Sequence, residues 1–205
     1  MLTKHDDIKA WLDGMNIENY TIAATGTVTV DGNVDISNKQ LSEIPVQFGI
    51  VSGEFECHYN RLKSLNGSPR EVGGNFDCSD NRLKSLDGSP RKVGGDFYCS
   101  DNRLKSLDGS PCEVGGEFDC SWNSLQSLEG SPQVISGGFY CWDNSLKSLE
   151  FSPREVGGNF NCSNNRLKSL EGSPREVGGD FDCSDNSFKT SPNIDATING
   201  QLIWK

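Results

Sequence analysis

The chain has 205 residues, a formal net charge of −10 and 34% hydrophobic residues. That apolar share is too low to supply one thick globular core, and the charge opposes general affinity for DNA, RNA or anionic lipid. With 23 Gly and 8 Pro, helix cannot dominate, since both residues are costly inside helices.

Taken in chain order, residues 4–14 predict a short helix, with Ile8, Trp11 and Leu12 at helical spacing and Thr3, Asp6 and Asp7 as a start signal. Residues from about 19 to 36 predict a short hairpin. The opening residues carry no apolar run of signal-peptide kind. No stretch approaches the ~18 apolar residues of a membrane span. The expected location is the cytoplasm, without membrane contact.

From residue 34 onward one pattern repeats. Phe recurs at 55, 76, 97, 118, 139, 160 and 181, always 21 residues apart. Cys follows two residues later, at 57, 78, 99, 120, 141, 162 and 183. Asn follows at 60, 81, 102, 123, 144, 165 and 186, and two further columns are Leu, with Phe188 once. Val34, Ile36, Leu41 and Ile44 fall on the same columns one period earlier, which makes eight units. Alternation across F-x-C puts Phe and Cys inward and the residue between them outward. Stacked units then pair into one parallel sheet, with Val, Phe, Cys, Leu and Leu as five inward ladders. The recurrent Asn is expected to turn inward and bond backbone groups that the turn leaves unpaired. The G-S-P stretch carries no helical periodicity and reads as extended or polyproline-like backbone. At the end of the chain, ATINGQLIWK reads as two strands around Asn199-Gly200, a hairpin signal.

F-x-C-x-x-N-x-L-x-x-L resembles the repeating segment of leucine-rich repeats, with Phe and Cys in the strand positions. The short period is similar to the compact repeats of bacterial effectors and bacteriophage proteins. The resemblance implies a mainly β leucine-rich-repeat solenoid with the sheet on its concave face. On that reading residues 1–33 form an N-terminal cap of helix plus strand, residues 34–190 the eight-repeat solenoid, and residues 191–205 a C-terminal cap. It also implies a binding role, such as a phage protein that blocks a host factor or defence system. The fold serves many partners, so the resemblance names none.

Seven of the 8 Cys share one column. A ladder is a line, whereas a zinc site needs ligands converging on a point, and parallel side chains suit disulfides poorly. These Cys read as buried reduced thiols in a reducing compartment, with Cys112 alone at an exposed position. No phosphate loop, metal motif or nucleophile–base set stands in the sequence. A non-catalytic chain without metal or cofactor is expected.

The outward columns sort charge. The residues before and after Phe, and the two after Cys, hold twelve acids: Glu54, Glu56, Asp77, Asp80, Asp96, Asp101, Glu117, Asp119, Asp143, Asp180, Asp182 and Asp185. They hold no Lys or Arg, and His58 is their one potential cation. Turn chemistry also favours Asp and accounts for part of this pattern. The same columns carry Tyr98, Trp122, Tyr140 and Trp142 in three consecutive units. The repeat departs from its own consensus between 122 and 151, with QVIS for REVG and Phe151 for Gly. These observations point to a partner-binding face built on Tyr98, Trp122, Tyr140 and Trp142 with Asp101, Glu117, Asp119 and Asp143. The expected partner is a protein with a basic surface, bound by a monomer without direct contact to nucleic acid. Nucleic-acid mimicry by the acid rows, or a small ligand at the aromatic patch, are the alternatives.

Overall fold

A computed structural model describes all 205 residues. Its organising element is a nine-stranded parallel sheet of two-residue strands, from Val34–Asp35 through Phe55–Glu56 and each later Phe to Phe181–Asp182 and Leu202–Ile203. Register is strictly one period per rung: Phe55 pairs Phe76, Phe76 pairs Phe97, and so on. The chain is therefore a mainly β, leucine-rich-repeat-like solenoid with a 21-residue coil.

The inward ladders form as their residue types dictate. Phe55, Phe76, Phe97, Phe118, Phe139, Phe160 and Phe181 are fully buried. Consecutive rings from Phe55 to Phe181 lie 4.8 to 5.7 Å apart, the rung spacing of a sheet. The Cys, Val and Leu columns are buried beside them in one continuous core. Each Asn turns inward. Asn102 donates from Nδ2 to the carbonyl of Cys78 (3.0 Å), and its Oδ1 accepts from the Leu83 N–H (2.9 Å). The ladder thus stitches each coil to the one before it.

A second set of strands, one residue pair per coil, was not expected. Glu71–Val72, Lys92–Val93 and Glu113–Val114 extend a six-stranded sheet that begins with the N-terminal hairpin, Tyr20–Ile22 against Thr27–Val30. Val134–Ile135, Glu155–Val156, Glu176–Val177 and Thr197–Ile198 form a separate four-stranded sheet. At the interruption the residue type changes. In a regular coil the residue after this strand is Gly, and a Cβ there would lie 2.1 Å from the preceding carbonyl at Gly115 and 2.2 Å at Gly94. Ser136 occupies that column in the interrupted coil. The neighbouring coils hold the bonds Gly115 N–H to Val93 O (3.0 Å) and Gly157 N–H to Ile135 O (2.8 Å), and no equivalent bond joins Ser136 to Val114. The seam opens a groove of about 730 Å³ lined by residues including Cys112, Val114, Pro132, Val134 and Ser136. Ser52 and Asn199, which also bear side chains in this column, keep their bonds to Val30 O (3.1 Å) and Val177 O (3.0 Å).

Both ends differ in part from expectation. The helix α1 spans His5–Gly14 and buries Ile8 and Leu12, while Trp11 packs edge-on against Phe48 at 6.4 Å. Thr3 does not cap it: the capping position falls to Lys4, with no side-chain bond. No hairpin forms at Asn199-Gly200. Thr197–Ile198 pairs in parallel with Glu176–Val177, and Leu202–Ile203 with Phe181–Asp182. The segment is a ninth coil whose Leu202 and Trp204 stand in the Phe and Cys columns. Its Asn-Gly sits where earlier coils have Gly-Gly, so the dipeptide serves the coil and not a reversal.

Candidate functional site

The sequence-selected residues stand on three adjacent rungs of the nine-stranded sheet. Tyr98, Asp119 and Tyr140 are direct partners on three adjacent strands. Tyr140 folds back over Gly138, where a Cβ would meet its ring at 2.6 to 2.7 Å. Its hydroxyl reaches Glu117 Oε1 at 3.4 Å, and the Tyr98 hydroxyl donates to Asp96 Oδ2 at 2.8 Å. Burial is the main reason that both phenols are held above their ordinary value, with the adjoining carboxylates adding to it. Trp122 is 53% exposed and meets the half-buried Trp142 edge-to-face, centroids 5.4 Å apart.

The aspartates of this face have structural work that the sequence did not disclose. Asp119 Oδ1 accepts from both the N–H (2.9 Å) and the Oγ–H (2.6 Å) of Ser121. Asp77 and Asp182 do the same for Ser79 and Ser184, and Asn161 fills the role for Ser163. In the column before Phe, Asp96 accepts from the Glu117 N–H (2.7 Å) and Asp180 from the Gln201 N–H (2.8 Å), as Asn75 does for Asp96. Asp80, Asp101, Asp143 and Asp185 have φ of 48° to 54°, as do Asn38 and Asn164. That left-handed conformation favours short polar side chains. Asn replaces Asp in all three columns, so the role that Asp fills there needs a short side-chain oxygen and not a charge. Only Glu54, Glu56 and Glu117 among the twelve acids are free of such duty. Burial pushes the Asp119 carboxyl above its usual range, opposed by the Ser121 bonds.

Against that background Trp122 stands out. It occupies the left-handed column at φ 51°, as does Tyr59 at φ 50°. A bulky residue there carries roughly 1–2 kcal/mol of strain. Phe151 repeats the situation in another column: φ 67° and 56% exposed, where other coils have Gly. The divergent stretch thus holds two strained, exposed aromatics at different places on the coil. The sequence marked Phe151 only as a lost Gly.

The cysteine column is inert as placed. Cys57, Cys78, Cys99, Cys120, Cys141, Cys162 and Cys183 are free and buried, and Cys112 is free and exposed. Burial pushes every thiol of the column up. No helix is long and apolar enough to cross a membrane.

Sequence reasoning missed one cluster. His58 Nδ1 lies 2.9 Å from Glu56 Oε2 and 3.4 Å from Asp77 Oδ2. Burial, then the Asp77 charge, raises the Glu56 carboxyl, and His58 opposes that shift. The departure from F-D-C-S to F-E-C-H was visible in the sequence. That Asp77 meets it follows from the register alone.

The fold defines a class, a leucine-rich-repeat-like parallel solenoid with an outward aromatic patch. No family model and no curated protein matches the chain. A solved structure similar to it is YopM from Yersinia enterocolitica WA-314, at 17% identity and a TM-score of 0.40. The match covers 84% of this chain and 55% of that one, so the chain spans about half the length of the structure it resembles.

Proposed function

We propose that this protein is a non-catalytic binding module that captures a protein partner on the patch centred on Trp122 and Trp142. The strained, exposed Trp122 carries the reading. Asp in this column fits the backbone better, so a half-exposed Trp there answers a need other than stability. Exposed aromatic pairs ringed by polar groups are typical of interface anchors. Tyr98 and Tyr140 extend the anchor across two rungs, while Glu117, Asp101, Asp119 and Asp143 surround it with negative charge. Such a rim orients a basic surface and speeds its encounter. Direct binding of nucleic acid runs against this charge. Mimicry of a phosphate row is the weaker reading, because Asn substitutes freely for Asp along the rows. The resemblance to short-repeat bacterial and bacteriophage proteins directs the partner search to bacterial host proteins, in the cytoplasm, with this chain acting as a monomer.

The test replaces Trp122→Asp and Trp142→Ser, the residues that other coils carry. Relief of about 1 kcal/mol of backbone strain offsets the lost aromatic contact of roughly 0.5–1.5 kcal/mol, so thermal stability should hold. Capture of a partner from bacterial lysate by the parent chain should disappear in the double variant and weaken with added salt. Undiminished capture by the variant places the site elsewhere.

A further inference from the structure

We infer that Glu56, His58 and Asp77 form a divalent transition-metal site, of the borderline chemistry that suits Zn²⁺. The three ligand atoms all lie within 4.8 Å of one another. Two separations, 2.9 and 3.4 Å, bracket the roughly 3.3 Å edge of a tetrahedron with ~2.0–2.1 Å bonds to nitrogen and oxygen.

Two further observations separate this cluster from an ordinary ion pair. His58 Nδ1 is shielded from solvent yet makes no hydrogen bond of acceptable geometry. A lone pair aimed between two carboxylates without a donor–acceptor line suits a cation better than a proton. The cluster also breaks the coil's own rule. Elsewhere Asp-x-Ser closes the turn locally, as Asp77 Oδ1 does with the Ser79 N–H (2.8 Å) and Oγ–H (2.6 Å). In the coil of residues 56–58 both members are exchanged, Asp for Glu and Ser for His, and the longer side chains no longer serve the turn. Asp77 keeps its turn duty with Oδ1 and turns Oδ2 to His58, so Ser79 fixes the orientation of a ligand, as outer-shell partners of metal sites do. Tyr59 packs edge-on against the imidazole at 5.3 Å and holds the ring. Three protein ligands leave an outward position for water or for a group of another molecule. A metal there ties two successive coils together, and it is independent of the Trp122 patch.

The experiment titrates ZnCl₂ into the full chain carrying Cys112→Ser, which removes the one exposed thiol, and follows heat by calorimetry. One saturable equivalent and a raised melting temperature are expected. Co²⁺ should give visible ligand-field bands without thiolate charge transfer. His58→Ser and Glu56→Gln should each weaken binding by roughly tenfold or more with unchanged circular dichroism. His58→Ser restores the residue that most other coils carry, and Glu56→Gln keeps the side chain's shape, so both preserve the fold. Absence of saturable binding, affinity unchanged from the parent in either variant, or a thiolate band overturns the assignment.

Discussion

Raising the pH should unfold this protein through its cysteine column. Cys57, Cys78, Cys99, Cys120, Cys141 and Cys162 have no exposed surface. Burial pushes each of these six thiols above the ordinary value of 9.0. Folded, they stay protonated; unfolded, they ionise near that ordinary value. Above it the unfolded chain binds fewer protons than the folded one, so stability falls as pH rises. The contribution is intact below the unfolded value and is lost progressively on the way up to the folded values. One unit above the ordinary value, each buried thiol costs about 1.4 kcal/mol, and the six together about 8 kcal/mol. That matches the whole margin of a typical domain, about 5–15 kcal/mol. Cys183, pushed up to about 12, adds a contribution of the same size at that pH. The assay follows far-ultraviolet circular dichroism and thiolate absorbance together from about pH 7 to about 11, with urea midpoints at each step and Cys112→Ser as background. Thiolate should appear in step with loss of structure. Ionisation of the column in a chain whose dichroism stays native would falsify this account, as would urea midpoints that do not move between about pH 8 and 10.

Gly94→Ala should strain the flanking sheet. Its Cβ would sit 2.2 Å from the Gly73 carbonyl, which endangers the bonds Gly94 N–H to Val72 O and Arg91 N–H to Arg70 O, both 2.9 Å. Losing the two costs about 1–3 kcal/mol, or several degrees at about 2–4 °C per kcal/mol; a melting temperature within about a degree of the parent's would contradict the steric account. Ser136→Gly is the converse, and its gain is partly cancelled by roughly 0.5–1 kcal/mol of glycine entropy. Its readout is therefore amide hydrogen exchange, which should slow at positions 133 and 136. Asn102→Ala strips the Leu83 N–H and the Cys78 carbonyl of their partner and should cost on the order of 2–5 kcal/mol by urea denaturation. A cost no larger than that of a surface substitution would show the ladder to be dispensable.

The inward half of the coil was legible because burial imposes residue type. Phe, Cys and Leu recur every 21 residues since each rung meets the same neighbours. The second sheet was not, because a two-residue strand such as Glu71–Val72 is too short for any alternation to show. The ninth coil hid for a different reason. Leu202 and Trp204 change the residue types of their columns, while Asn199-Gly200 imitates a hairpin dipeptide. On the outward half the columns were assigned to the right face, but their chemistry depended on backbone angles. Asp101 and Asp143 look like free charge until their positive φ appears. Trp122 then gains meaning for the same reason that they lose it. His58 looked solitary because its second carboxylate, Asp77, lies in the next coil.

The seam at Ser136 has a mechanical consequence. A beam cut along one flank and continuous along the other flexes at the cut. Here the intact flank is the nine-stranded sheet, and the cut falls between the strands Glu113–Val114 and Val134–Ile135. These lead into the two rungs that carry Trp122 and Trp142. The lever arms are the four-stranded and six-stranded blocks, each stiffened on both flanks. The edge-to-face contact of Trp122 and Trp142, 5.4 Å between centroids, bridges the same two coils across which the flanking ladder is broken.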